Sequence, residues 1–405
     1  MSFLGRQRAV GLDIGAGVVR ALVLEGAPES ARITGTGAVP IASGSGDTTM
    51  AQAIHTALAR ARADGEPVVA AVGGPDVVVR QLTLPGVPRD RVLQVLELQH
   101  REFGLLPPSE GLLDAQILRR SKGECLVLVV SAPKPVVEGR IRLLERAAVK
   151  LRTLDVEALA VLNATLHLAR LEPRELLVTL DLREERAILC LLSERGPVVV
   201  RYLEVGASAT VERLRHADVA APAARAPLTA PGEDVDAGQA GEAYRGTVRR
   251  IADEIRTSLA FYRSEYDRES LPRYLLSGWL PVRQLNRWLT DELRLESPFE
   301  VIDPFRAAPM TAAQGATDAS AGPEFVQAFG LALRRCDHAV HDRSDTSGMV
   351  AALSVALVSR PRRPAPPRDG GRRWRRDRRA RGARRSLAAV SAVLGRDSRH
   401  REPRA

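Results

Sequence analysis

Apolar positions along this chain alternate between two periods, and the alternation predicts an α/β protein. At the start, "AVGLDI", "VVRALVLEG" and "ARITGTGAVPI" are β-branched runs separated by Gly-rich breaks, which read as three strands. "TTMAQAIHTALARARADG" then repeats its apolar residues at helical spacing and closes on Gly65. "PVVAAVGG" and "DVVVRQLTLP" follow as strands. A second unit begins near Gly86, where "PRDRVLQVLELQHREFG" opens on proline and sets Val92, Leu93, Leu96 and Phe103 on one helical stripe. The strands "LLDAQILR" and "ECLVLVVSAP" come next, then the helices "KPVVEGRIRLLERAAVK" and "DVEALAVLNATLHLARL" (155–171).

The pattern then restarts. "ELLVTLDLREERAILCLLSERGPVVVRYLEVG" reads as three strands in meander order, and residues 217–244, rich in Ala, Pro and Gly, as a surface insertion. "RGTVRRIADEIRTSLAFYRSEY" is an amphipathic helix, "RYLLSGW" a strand ending in a Gly turn, and "LPVRQLNRWLTDELR" a further helix. "FEVIDPF" and "PEFVQAFGLALRR" close the folded part near Arg335, and the Arg/Pro/Gly-rich remainder is expected not to pack. Laying 11–25 over 179–193 puts Asp13 on Asp181 with strands on both sides, so the α/β architecture is duplicated.

The turn in "VGLDIGAGVVRALVLEG" is the first candidate for chemistry. A dinucleotide loop would run from its glycines into a helix, whereas Gly15 and Gly17 are followed by β-branched residues. The stretch is therefore a β-hairpin. Its turn can offer successive backbone N–H groups to a phosphate, and Asp13 can hold Mg²⁺ through water. The plainer reading is an apolar hairpin with turn-favouring glycines.

Length and charge refine this picture. The 405 residues suffice for two cores and a tail. Of the net charge of +10, residues 359–405 carry +13 from seventeen Arg against four acids, leaving the body at −3. Any binding to a polyanion or anionic surface thus belongs to the tail. Cys125, Cys190 and Cys336 form no CxxC pair, which points to a reducing compartment and away from disulfide frameworks and zinc sites. The first residues lack the apolar core of a signal peptide, and "GMVAALSVALV" is too short to span a bilayer.

Taken in order, "VGLDIGAGVVRALVLE", "VVRQLTLPGVPRDRVLQVLELQHREFGLLPPSEGLLDAQIL", "LVLVVSAPKPVVEGRIRLLERAAVKLRTLDVEALAVLNA", "EIRTSLAFYRSEY", "LLSGW" and "FGLALRR" give residues 9–335 a specific likeness. The chain resembles the PilM family of type IV pilus assembly proteins, within the actin-like ATPase superfamily and related to FtsA. The resemblance implies a duplicated actin-like (ribonuclease H-like) fold with a small α+β subdomain inserted in the first half. It places the first core at 1–83 and 154–175 and the insert at 84–153. The second core falls at 176–210 and 272–335, a helical subdomain at 211–271, and an Arg-rich tail at 336–405.

The same resemblance carries nucleotide contacts onto Asp13, Gly15, Ala16, Gly17 and Arg20 in the first hairpin. It adds Asp181 in the second, Glu254 and Ser258 in the helix over the nucleoside, and Gly278 in the adenosine loop, with ATP and Mg²⁺ as the ligands. Departures from the family pattern are visible. Ala16 and Arg20 stand where serine and lysine are usual, and Thr257 replaces an arginine. Trp279 follows Gly278, and the second hairpin reads Asp181-Leu182-Arg183-Glu184-Glu185. A carboxylate ~4 Å from a phosphate charge costs about 4 kcal/mol at an effective dielectric of 20, roughly a thousandfold in affinity. Pairing of Arg183 and Arg186 with the glutamates would offset it.

The resulting expectation is a cytoplasmic scaffold, peripheral at the inner face of the inner membrane, with weak or absent ATP hydrolysis. Its implied partner is the N-terminal cytoplasmic peptide of a PilN-like membrane protein, docked between the first core and the insert. Self-association stays open, as do three alternatives: a type II secretion GspL-like scaffold, an FtsA-like tethered protein, and an actin-fold metabolite kinase. In the tail, a polybasic run beside "SLAAVSAVLG" suits an anionic membrane surface, while a single aromatic, Trp374, disfavours nucleic acid. "CDHAVH" (336–341) has no fourth ligand at zinc-finger spacing, and His100 and His167 lack a local acid. The "NAT" at 163–165 sits in an apolar helix rather than a glycosylated loop.

Overall fold

Why two sheets form is already clear from the strand sequences, which are apolar on both faces and need covering on each. The computed structural model describes residues 8–26, 30–42, 44–121, 123–205, 239–266, 270–278, 282–307, 319–334 and 358–359. The Trp279 and 336–341 readings, the 217–238 stretch and nearly all of the tail lie outside them.

In the first lobe, β1 (Arg8–Ile14), β2 (Val18–Glu25) and β3 (Arg32–Pro40) form an antiparallel meander. Helix α1 (Asp47–Arg60) leads into β4 (Val68–Val72), parallel to β1 in the register Leu12↔Ala70. After the insert, α3 (Lys134–Arg146) leads to β8 (Leu151–Val156), parallel to β4. The second lobe repeats this plan. β9 (Glu175–Leu182), β10 (Ala187–Ser193) and β11 (Gly196–Leu203) form the meander; β12 (Leu271–Gly278) runs parallel to β9, and β13 (Glu300–Val301) parallel to β12. The strand orders β8-β4-β1-β2-β3 and β13-β12-β9-β10-β11 are one topology used twice. The overlay of Asp13 on Asp181 is thus structural, each aspartate lying on the central strand next to its hairpin turn.

Helix α5 (Gln239–Glu265) covers the second sheet through Val248, Ile251, Ile255, Leu259 and Tyr262, with α6 (Val282–Leu293) beside it. A short helix, α7 (Pro304–Ala307), and a 3₁₀ turn (Ala319–Phe325) lead into α8 (Val326–Leu333). The sequence partition groups α8 with the second core, yet it packs on β1, β2 and α4 (Glu157–Leu168) of the first. Both crossings depend on glycine: a Cβ at Gly11 would overlap Ala328 O, and one at Gly330 would overlap Ala160 O.

The insert is a three-stranded sheet, β5 (Val78–Pro85), β7 (Glu124–Pro133) and β6 (Gly111–Ser121) in that order. It therefore runs over 78–133 where the resemblance implies 84–153: β5 pairs with β7, while α3 and β8 pack into the first lobe. Its own small core joins Leu84, Val92, Leu96, Leu105, Cys125, Val127 and Val129. Two further sequence expectations change here. The helix expected over 88–104 is only α2 (Val92–Leu98) after a 3₁₀ turn, and Leu93, placed on its apolar stripe, is 42% exposed. The strand β8 was not expected. It is short and carries Arg152 and Asp155 among its apolar residues, so it reads as a connection between two helices. Residues 358–359, in the segment expected not to pack, pair with Leu154 and Thr153 at the edge of the first sheet.

Candidate functional site

The two hairpin turns face each other across the interlobe cleft, and the site is what lies between them. The first turn, residues 15–17, is closed by Gly15 N–H donating to Val18 O at 3.0 Å. The second, residues 183–186, is closed by Arg183 N–H donating to Arg186 O at 3.0 Å. Register places Asp13 opposite Arg20 on β1 and β2, and Ser277 of β12 beside Asp181.

Asp13 is fully buried, and its carboxylate accepts hydrogen bonds from Arg183 Nη2 and, at 3.0 Å, from Gln327 Nε2. Arg183 Nη1 also donates to Gln327 Oε1, and Arg183 Nε lies 3.7 Å from Asp181 Oδ2. Burial alone would lower the Arg183 pKa, but Asp13, Asp181, Glu157 and Glu184 together hold it above its ordinary value. Asp181 accepts from Ser277 Oγ at 2.6 Å. Burial pushes its carboxyl up to about 6, against the opposing pull of Arg183 and Ser277.

Arg20 is also buried. Its Nη2 donates to Glu324 Oε2 at 2.6 Å and lies 3.7 Å from Glu184 Oε1, while Nη1 lies 3.9 Å from Asp13 Oδ2. Glu184 itself lies against the first turn. A Cβ at Gly17 would come within 3.0 Å of Glu184 Cγ, and one at Gly15 within 3.3 Å of its Oε2. The loop expected to receive phosphate thus has the side chain of the opposite hairpin on it. From the far side, Arg140 Nη1 donates to Ile14 O at 3.3 Å.

The structure brings Asp13, Gly15, Gly17, Arg20 and Asp181 into one cluster, with Ala16 in the same turn. The remaining expected contacts lie elsewhere in the bonding pattern. Glu254 pairs with Arg201 Nη1 on β11 at 3.0 Å and is half exposed. Ser258 is fully buried on α5, its Oγ without a hydrogen-bond partner among the described residues. Gly278 has φ +94° and lies against Leu182, where a Cβ would overlap the carbonyl oxygen, so the β9–β12 pairing itself demands glycine. Among the described residues no group of His, Cys, Asp and Glu is arranged to hold a metal ion.

Sequence reasoning missed Gln327, Glu324 and the true partner of Arg183. Arg183 binds Asp13 rather than a glutamate; Arg20 neutralises Glu184; and only Arg186 faces a glutamate as expected, Glu185 at 3.9 Å. One signal was available: Gln327 is a lone polar residue in the apolar run "FVQAFGLAL", and a buried amide there needs a partner.

Twin sheets of one strand order, with paired aspartates facing across a cleft, define an actin-like fold. A family model described as type IV pilus assembly protein PilM matches residues 11–336, and the chain belongs to that family. Among solved structures, a PilM-PilN type IV pilus biogenesis complex aligns with a TM-score of 0.69 and 26% identity, covering 82% of this chain and 99% of that one. The ethanolamine utilization protein EutJ from Carboxydothermus hydrogenoformans aligns at 0.49 and 12% identity, over 82% and 91% of the two chains. The archaeal actin homolog Ta0583 in complex with ADP aligns at 0.38 and 15%, over 80% and 97%. No curated protein matches.

Proposed function

We propose that this chain is an actin-like scaffold of type IV pilus assembly whose partner is the N-terminal cytoplasmic peptide of a PilN-like membrane protein. The observation that carries the reading is the alignment with the PilM-PilN complex over nearly the whole of that chain, together with the family match through residue 336. The peptide would dock in extended or helical form between the first core and the insert, apolar side chains serving as anchors. No helix among the described residues is long and apolar enough to cross a membrane. A membrane-anchored partner would then hold the scaffold at the inner face of the inner membrane.

ATP with Mg²⁺ is the ligand that the resemblance carries to the first turn. The residues there do not fit it in the arrangement described: Asp13 is bonded to Arg183 and Gln327, and Glu184 lies on the Gly15–Gly17 turn. The reading therefore assigns the chain weak or absent hydrolysis and rests function on peptide binding. Isothermal titration with a synthetic peptide copying the cytoplasmic N-terminus of the PilN-like protein from the same genome tests it. Saturable micromolar binding is expected, and no saturable binding at about 100 μM peptide, at either of two temperatures, would count against it.

A further inference from the structure

We infer that Arg183 and Glu184 form an internal ligand that closes the interlobe cleft in place of a metal–nucleotide complex. The inference does not depend on the peptide reading and concerns a different test. It rests on where charge and volume fall. A nucleotide clamp needs a cation at the buried aspartate and an anion on the glycine turn. This chain supplies both from one turn of the opposite lobe. The Arg183 guanidinium is hydrogen-bonded to Asp13 and lies 3.7 Å from Asp181, so one positive group bridges the paired aspartates of the two halves. The next residue, Glu184, lays its side chain over Gly15 and Gly17, with Arg20 Nη2 3.7 Å from its carboxylate.

Four further observations make this a built arrangement rather than an incidental surface pair. Asp13, Asp181 and Arg20 are 0–2% exposed, and a buried ion pair persists only when each charge is met. Gln327 orients both partners at once, accepting from Arg183 and donating to Asp13. Gln327 comes from α8, and Glu324, just before that helix, holds Arg20 at 2.6 Å, so a third segment braces the contact. The insert adds a second tie between the lobes: Gln81 Nε2 donates to Arg195 O, and Leu118 packs over Gly196. A triphosphate at the first turn would have to displace Glu184, and a hydrated Mg²⁺ would have to displace Arg183.

Thermal melting of the full chain with and without 5 mM Mg-ATP tests this directly. A ligand at 100 times its Kd stabilises a protein measurably, equivalent to a shift of several degrees for a chain of this size. The wild-type midpoint is expected to move by less than about 1 °C. Glu184→Gly, which clears the first turn, should gain a Mg-ATP-dependent rise of about 3 °C or more. The isosteric Asp13→Asn and the shorter, neutral Arg183→Gln each remove one charge of the pair. Each single variant should lower the midpoint by about 5 °C or more, and the double variant by clearly less than the sum, because Asp13 and Arg183 then no longer leave each other's buried charge unpaired. A wild-type midpoint raised several degrees by Mg-ATP, or additive losses in the pair, would overturn the inference.

Discussion

At the scale of single residues, the informative group is Asp181. Its ordinary carboxyl value is near 3.8, and burial raises it to about 6 in the folded chain, while Arg183, Ser277 and Arg20 pull it back and Asp13 pushes it further up. Between those two values the folded state retains a proton that the unfolded state has released. The group's contribution to stability is therefore complete below about pH 4 and is lost as pH rises through about 6. Asp155 is raised in the same direction by burial, against its pair with Arg334 at 2.8 Å, and adds to the trend. Replacing Asp181 by Asn keeps an acceptor for Ser277 without the buried charge. We expect Asp181→Asn to be more stable than wild type by about 1–3 kcal/mol at pH 8, with the advantage gone at pH 4. Urea denaturation at the two pH values measures this, and equal midpoints at pH 8 would refute it.

At the scale of elements, the insert separates what periodicity can and cannot reveal. The spacing predicts Val92 and Leu96 as core, and both are buried in the small cluster under α2. Leu93 shared that spacing and is exposed, because α2 ends at Leu98 and turns the chain before a longer stripe can form. Leu96→Ala should cost the protein about 2–5 kcal/mol, whereas Leu98→Ser, at a residue 75% exposed, should change stability by less than about 0.5 kcal/mol. Chemical denaturation of the two variants distinguishes them. The meanders of both lobes were legible for the same reason as Leu96: local patterning fixes a strand or helix and its inner face. Strand β8 was illegible because six residues with Arg152 and Asp155 among them offer no clean period.

The cleft network illustrates the limit of that kind of reading. Asp13 and Asp181 could be paired by the internal repeat, but Asp13 meets Arg183 from 170 positions away and Gln327 from 314. No local pattern encodes such partners. The second hairpin's acidic residues were recognisable as a departure from a phosphate loop, while the identity of what neutralised them required the fold.

At the scale of the whole molecule, the path of α8 decides how the halves depend on each other. This helix is nearly all buried, and its Phe329, Val326 and Ala328 belong to the first lobe's core cluster. A chain ending at residue 318 would retain every strand of both five-stranded arrays and still lack the cover for β1, β2 and α4. We expect that truncation to lose cooperative thermal unfolding and to bind a hydrophobic dye, as a loosened core does. Sharp melting of the shortened chain would show that α8 is dispensable.

The same helix bears on how the protein comes into being. Domains usually acquire their structure in the order the ribosome delivers them, amino-terminal portion first. Here the earliest strands to emerge must wait, their apolar face unclad, until residues 326–333 have left the exit tunnel. The half that is born first is finished last, and in the interval its nascent surface is a natural client for a chaperone.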